Sequence, residues 1–202
     1  TVVYCDDKDA PAQIYSDEFI FANYKDKIKL QEFINKVDVV TYEFENIPFI
    51  TLDLISQSKQ VRPKPRVNKI VQHRLYEKDF INKCNIRTTK YVSIKQKNDL
   101  NANVKLVPAI LKTCILGYDG KGQYRINNLS DLENLNIDFS QDYILEKIIN
   151  LKKEFSIILT RFSHSVHQIY EPIENEHENQ ILKYSKIPAI IDEQILSKAK
   201  GW

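Results

Sequence analysis

The chain has 202 residues, which is long enough for one large domain or two smaller ones with a buried core. Its 29 basic and 27 acidic residues are interspersed and leave a net charge of +2, which argues against a nucleic-acid-binding stripe or a polybasic membrane patch. No apolar run approaches the roughly 18 residues of a membrane helix, and three widely spaced cysteines do not suggest a disulfide framework. We therefore expect a cytoplasmic globular protein that binds neither nucleic acid nor membrane.

The first part of the chain alternates between strand and helix patterns. Residues 1–5 and 37–44 are rich in β-branched and aromatic residues and predict strands. Residues 25–36 and 46–59 have helical spacing of apolar residues, with Pro48 near the start of the second helix. This order of elements predicts an α/β unit with a parallel sheet.

The pattern changes after this unit. Residues 61–69 contain two prolines and four basic residues and suggest a linker, and residues 70–85 predict one amphipathic helix. Short strand patterns then dominate up to a final helix at 192–200, so we expect an α+β fold there. The strand patterns cover residues 90–94, 108–116, 123–126, 143–149, 154–162, 167–175 and 180–189. We expect domain boundaries at 1–68, 69–149 and 150–202.

Glycine is concentrated in one short segment. The chain has only 4 glycines, and three of them (Gly117, Gly120 and Gly122) lie in "LGYDGKGQ", between two predicted strands and with Lys121 among them. Backbone N–H groups in such a loop form a cradle for an anion, and the lysine adds positive charge. The loop is not a P-loop, because Gly122 stands where Ser or Thr is required. The segment predicts either a phosphate-binding hairpin or an ordinary β-turn.

Lys112 interrupts the apolar run "AILKTCIL" that leads into this loop. A lysine at this position can reach the phosphates of a bound nucleotide, whereas a lysine without such a role would lie on the solvent face of an edge strand. Farther on, the backbone of Glu146 to Ile149 could hold an adenine edge, and Glu154 could accept both hydroxyls of a ribose. The alternative is that both glutamates are exposed residues at strand ends.

Four segments in this order resemble the N5-carboxyaminoimidazole ribonucleotide synthetase family of ATP-grasp enzymes. These segments are "VVTYEFENIP", "QHRLYEK", "LKTCILGYDGKGQ" and "YILEKII…KKEFSI", and "IENEHENQILKYSKIPA" is similar to the family's next stretch. The resemblance covers nearly the whole chain. It implies a first unit that precedes an ATP-grasp domain, and an ATP-grasp domain that is incomplete.

The resemblance also implies roles for individual residues. Glu45 would contact the ribonucleotide substrate, although Asn46 could equally make this segment a helix-capping loop. Arg74 could instead be a helix-surface residue, and His177 an ordinary hairpin residue. The residues that would bind ATP are Arg74, Lys112, Gly117, Tyr118, Asp119, Gly120, Lys121, Gly122, Gln123, Glu146, Lys147, Ile148, Ile149, Glu154 and His177.

The resemblance implies a reaction in which ATP and bicarbonate carboxylate 5-aminoimidazole ribonucleotide, with Mg²⁺ as cofactor and no covalent nucleophile. The family's magnesium ligands would follow Trp202, so we expect no metal site in this chain, and its first strand and glycine-rich turn would precede Thr1. We also expect a homodimer. Two alternatives stay open, namely another ATP-grasp ligase, such as a formate-dependent glycinamide ribonucleotide transformylase, and a nucleotide-binding fragment without turnover.

Overall fold

The computed structural model describes residues 1–116, 122–162, 166–178 and 181–201. The strands are β1 (Val2–Cys5), β2 (Glu18–Phe21), β3 (Val39–Thr41), β4 (Gln60–Arg62), β5 (Tyr91–Ile94), β6 (Ala109–Thr113), β7 (Gln123–Ile126), β8 (Tyr143–Lys147), β9 (Glu154–Ser156), β10 (Leu159–Arg161), β11 (His167–Ile169), β12 (Ile173–Glu178) and β13 (Ile181–Lys186). The helices are α1 (Lys27–Lys36), α2 (Phe49–Ser56), α3 (Pro65–Val71), α4 (Arg74–Lys83), α5 (Lys97–Ala102), α6 (Leu129–Glu133) and α7 (Glu193–Lys200). No helix among these residues is long and apolar enough to cross a membrane.

Two parallel strand pairs form the first part of the fold. β1 pairs with β2 and β3 pairs with β4, and one apolar core, which includes Leu30 and Phe33 of α1 and Leu52 of α2, packs against both pairs. The Asp26 side chain caps α1 by accepting hydrogen bonds from the N–H groups of Ile28 and Lys29. The expected parallel α/β unit is confirmed.

An antiparallel sheet follows, with the strand order β5-β8-β6-β7. Alternate residues of its strands, including Leu111 and Leu145, are fully buried in a second core with Leu100 of α5 and Leu132 of α6. The other face of the sheet carries Lys112 and Glu146, because each is one residue out of phase with Leu111 and Leu145, which face the second core.

The last strands form two smaller antiparallel sheets. β12 pairs with both β9 and β13, and β10 pairs with β11. The sequence pattern predicted residues 154–162 as one strand, but they form β9 and β10. The change from parallel pairs to antiparallel sheets agrees with the predicted change from α/β to α+β.

Two sequence predictions between these units are wrong. Residues 61–69 are not a linker, since β4 covers Gln60–Arg62 and α3 begins at Pro65. Residues 70–85 are not one helix, since α3 ends at Val71 and α4 begins at Arg74. Strand β2 was not predicted at all, and β3 is limited to Val39–Thr41 within the predicted 37–44.

Candidate functional site

The glycine-rich segment joins two neighbouring strands, as predicted. β6 and β7 pair in antiparallel register, and the N–H of Thr113 donates to the carbonyl oxygen of Gly122 at 3.0 Å. Gly122 has φ +69°, which an L-residue rarely adopts, and a Cβ there would lie 3.0 Å from the Thr113 methyl carbon. Glycine is therefore required where the chain enters β7. The predicted site residues Gly117, Tyr118, Asp119, Gly120 and Lys121 lie outside the described residues.

Lys112 lies on an interior strand, between β8 and β7, so it is not on an edge strand. Its Nζ is 2.9 Å from Oε2 of Glu146, and Nζ of Lys78 on α4 is 3.4 Å from Oε1 of the same carboxylate. Glu146 is only 8% exposed, so it is not the exposed strand-end residue of the alternative interpretation. We call Lys78, Lys112 and Glu146 the Glu146 cluster. With two ammonium groups and one carboxylate, it carries a net positive charge beside β6, the strand that leads into the glycine-rich segment.

Arg74 begins α4 and binds the chain just before the loop. Its backbone N–H donates to the Cys114 carbonyl, and its guanidinium donates to the carbonyl oxygens of Thr113 at 2.7 Å and Leu116 at 2.6 Å. The alternative of a helix-surface arginine is therefore wrong, because Arg74 connects α4 to the loop entry. A contact between Arg74 and nucleotide stays a prediction.

Glu77 lies next to these residues on α4 and was not predicted from the sequence. Burial raises its pKa, and the negative charges of Glu45 and Glu146 act in the same direction, against the opposite effect of Lys78 and Arg74. A carboxylate whose charged form is disfavoured is more common at functional sites than elsewhere.

Two of the backbone N–H groups predicted to face adenine are used within the protein. The N–H of Lys147 donates to the carbonyl of Lys90 at 2.9 Å, and the N–H of Ile148 donates to that of Pro108 at 3.0 Å. Among the described residues, none accepts a hydrogen bond from the N–H of Ile149. Of the N–H groups predicted to face adenine, that of Ile149 is thus the one best placed to serve a ligand.

Two further predicted residues lie side by side on the β9–β12–β13 sheet. Nδ1 of His177 is 3.4 Å from Oε1 of Glu154, although 23 positions separate them in the chain. Both line a cleft of about 440 Å³. Their side chains are 38% and 45% exposed, so both remain accessible to a ligand.

Glu45 lies in the loop that follows the carboxyl end of β3, as predicted for the substrate side of a parallel sheet. Its carbonyl oxygen accepts hydrogen bonds from Asn68 Nδ2 at 2.9 Å and from Gln72 Nε2, so α3 fixes this loop. Asn46 is not a helix cap, because the N-cap of α2 is Pro48. The alternative of a helix-capping loop is therefore wrong.

Lys78 and Glu77 are the residues of this site that the sequence analysis missed. They are four and three positions after Arg74 and share its face of α4. A charged face on an otherwise amphipathic helix was the available signal. In the described part of the chain, no three His, Cys, Asp or Glu side chains are grouped so as to hold a metal ion.

Family models match both parts of the chain. Residues 1–72 match the ribonucleotide synthetase preATP-grasp domain, and residues 79–201 match the ATP-grasp domain. These matches agree with the fold class expected from the sequence.

Individual relatives give the same result. The N5-carboxyaminoimidazole ribonucleotide synthase of Staphylococcus aureus strain COL is 35% identical over 200 residues, which are 98% of this chain and 54% of the relative. The crystal structure of N5-carboxyaminoimidazole synthetase from Staphylococcus aureus complexed with ADP is 34% identical, with a TM-score of 0.89 over 99% of this chain and 54% of that one. The synthetase structure from Thermus thermophilus is 25% identical, with a TM-score of 0.87 over 99% of this chain and 55% of that one. The chain thus spans about half the length of the relatives it matches.

Proposed function

Because the chain belongs to the ATP-grasp family, we propose that its protein uses ATP and bicarbonate to carboxylate 5-aminoimidazole ribonucleotide. The product is N5-carboxyaminoimidazole ribonucleotide, an intermediate of de novo purine biosynthesis. The observation that carries the proposal is the Lys112–Glu146 pair, 2.9 Å apart on adjacent strands at the base of the glycine-rich hairpin. The similarity to synthetases of this reaction over 98% of the chain supports the choice of substrate.

Bicarbonate requires activation, because it is a poor electrophile. Its oxygen attacks the γ-phosphorus of ATP, and ADP leaves with the electrons of the broken P–O bond, which gives carboxyphosphate. The exocyclic amine then attacks the carboxyl carbon and displaces phosphate, or carboxyphosphate first breaks down to phosphate and carbon dioxide, which the amine attacks. In both routes the amine nitrogen loses one proton to the released phosphate or to water. Carboxyphosphate hydrolyses readily, so the site would have to exclude water during the reaction.

The residues of this chain would bind and orient the reactants. Lys112 and the amides of the glycine-rich hairpin would hold the phosphates, the N–H of Ile149 would donate to adenine, and Glu154 with His177 would hold the ribose. Glu45 would contact the ribonucleotide. Cys114, at the loop entry, is poorly suited to act as a nucleophile, because burial raises the pKa of its thiol to about 12.

Magnesium bound with ATP would neutralise charge on the phosphates. We also expect a cytoplasmic protein, since ATP and the ribonucleotide are phosphorylated anions that a cell retains in its interior. The resemblance to the synthetase family further implies a homodimer.

The test is phosphate release by the entire protein with Mg-ATP, with bicarbonate and aminoimidazole ribonucleotide omitted in turn. Release that needs both compounds supports the proposal. Release with glycinamide ribonucleotide and formate instead would favour the rival ATP-grasp ligase. ATP binding without any release would identify a nucleotide-binding protein that does not turn over.

A further inference from the structure

Glu146 binds its two lysines through different carboxylate oxygens. Lys112 approaches from β6, on the same sheet, while Lys78 approaches from α4, which covers this face. The side chains of Lys78, Lys112 and Glu146 are 18%, 23% and 11% exposed, so all three charges are largely shielded from water. Each lysine therefore depends on the Glu146 carboxylate to balance its charge, and Glu146 depends on the lysines.

This arrangement bears on how Lys112 could bind phosphate. If Lys112 were the only partner of Glu146, a phosphate would have to compete with that carboxylate, and its success would leave a buried negative charge alone. A second lysine lowers the cost of moving Lys112 to a phosphate, because Glu146 keeps Lys78 as a counter-ion when Lys112 turns away.

We propose that Lys78 is a positioning residue for ATP: it remains paired with Glu146 and so frees Lys112 to bind a phosphate group. This inference rests on the proposed function, because it presupposes that ATP binds at Lys112. It assigns a role to a residue for which the sequence analysis predicted none.

The surroundings of Lys78 keep it in place. Its Nζ lies 5.7 Å from the ring centroid of Tyr91, which is directly opposite Glu146 in the β5–β8 register. The Tyr91 hydroxyl donates to Asp79 at 2.7 Å and accepts from Asn82 at 2.9 Å, and both of these residues are on α4. Helix α4 and strand β5 therefore hold the ammonium group beside Glu146.

The first experiment is calorimetric titration of the entire protein with ATP, comparing Lys78→Met with wild type. We expect about 10-fold weaker binding, or more, because Glu146 then retains Lys112. Lys78→Arg should restore affinity to within about 3-fold of wild type, since it keeps the charge. The matched control is Lys83→Met, an exposed lysine on the same helix, which should bind ATP as wild type does.

A double-mutant cycle with Glu146→Gln separates this role from a direct effect of charge on the phosphates. In the Glu146→Gln background Lys112 is no longer held by a carboxylate, so Lys78→Met should then change affinity by less than about 2-fold. The same loss in both backgrounds would overturn the inference. If Lys78→Met fails to fold, as judged by circular dichroism, Lys78→Gln takes its place in the cycle.

Steady-state kinetics give an independent readout. Lys78→Met should raise the KM for ATP with kcat within about 3-fold of wild type, because binding is affected more than chemistry. A fall in kcat at unchanged KM would contradict the proposed role. Wild-type protein that does not bind ATP would refute the proposed function itself, whereas normal binding by Lys78→Met would refute only this inference.

Discussion

At the scale of single residues, the environment of Glu77 disfavours the negative charge of its carboxylate. Burial and the nearby Glu45 and Glu146 raise its pKa above the ordinary value of 4.5. The folded protein therefore binds this proton more tightly than the unfolded chain does. Stability is favoured below pH 4.5 and is lost as the pH rises through the raised pKa of the folded state.

Glu77→Gln should consequently raise the melting temperature at pH 7.5, because the substitution removes a disfavoured negative charge. The difference from wild type should shrink as the pH falls to about 4, where Glu77 is protonated in both states. Thermal melts followed by circular dichroism at both pH values measure this effect. Glu133→Gln, at an exposed position on α6, is the control. An equal or lower melting temperature for Glu77→Gln at pH 7.5 would contradict a raised pKa of Glu77 in the folded protein.

At the scale of elements, the β6–β7 hairpin depends on Gly122. Gly122→Ala should cost about 1–2 kcal/mol of unfolding free energy, because alanine is strained at positive φ. Urea denaturation measures this cost. The additional change Thr113→Ala should recover part of the loss, since the new Cβ would meet the Thr113 side chain at 3.0 Å. Unchanged stability of Gly122→Ala would mean that the hairpin does not need this conformation.

The strands of this element were predictable from local sequence, whereas the helix that covers them was not. β5, β6, β7 and β8 lie within predicted strands, because their apolar runs are visible in the local sequence and alternate residues of them face the second core. The break between α3 and α4 has a long-range cause: the N–H of Arg74 donates to the Cys114 carbonyl, 40 positions later in the chain. No pattern within residues 70–85 contains that information.

The segment before α3 was also predicted wrongly, because its structure depends on contacts that are distant in the sequence. Its prolines suggested a linker, but Pro65 is in the first turn of α3, where no N–H is required. β4 exists because it pairs with β3. In the site, the sequence indicated Lys112 because it interrupts an apolar run, and the hairpin because it contains three of the four glycines. The ion pair of Lys78 with Glu146, at 3.4 Å, could not be inferred from the sequence.

At the scale of the whole molecule, two apolar cores support different parts of the site. The first contains Leu52 and stabilises the parallel pairs, and the second contains Leu145, the residue before Glu146. Both leucines are almost fully buried. The positions of the charged residues on β8 therefore depend on the packing of the second core.

Leu145→Ala and Leu52→Ala should each cost about 2–5 kcal/mol of stability, because each leaves a cavity. Only Leu145→Ala should weaken ATP binding by about 3-fold or more, since packing strain is transmitted along β8. Leu52→Ala should bind within about 2-fold of wild type. Urea denaturation and ATP titration measure the two effects separately. Equal losses of ATP affinity in both variants would show that the two cores do not act independently.

The most direct test of the central claim is calorimetric titration of the entire protein with ATP, comparing wild type, Lys112→Ala and Lys105→Ala. Lys112→Ala should bind about 10- to 100-fold more weakly, as expected for the loss of a charge-assisted contact to phosphate. Lys105→Ala removes an exposed lysine elsewhere and should bind as wild type does. Equal affinities in all three proteins, or no binding by any of them, would contradict the assignment of the nucleotide site.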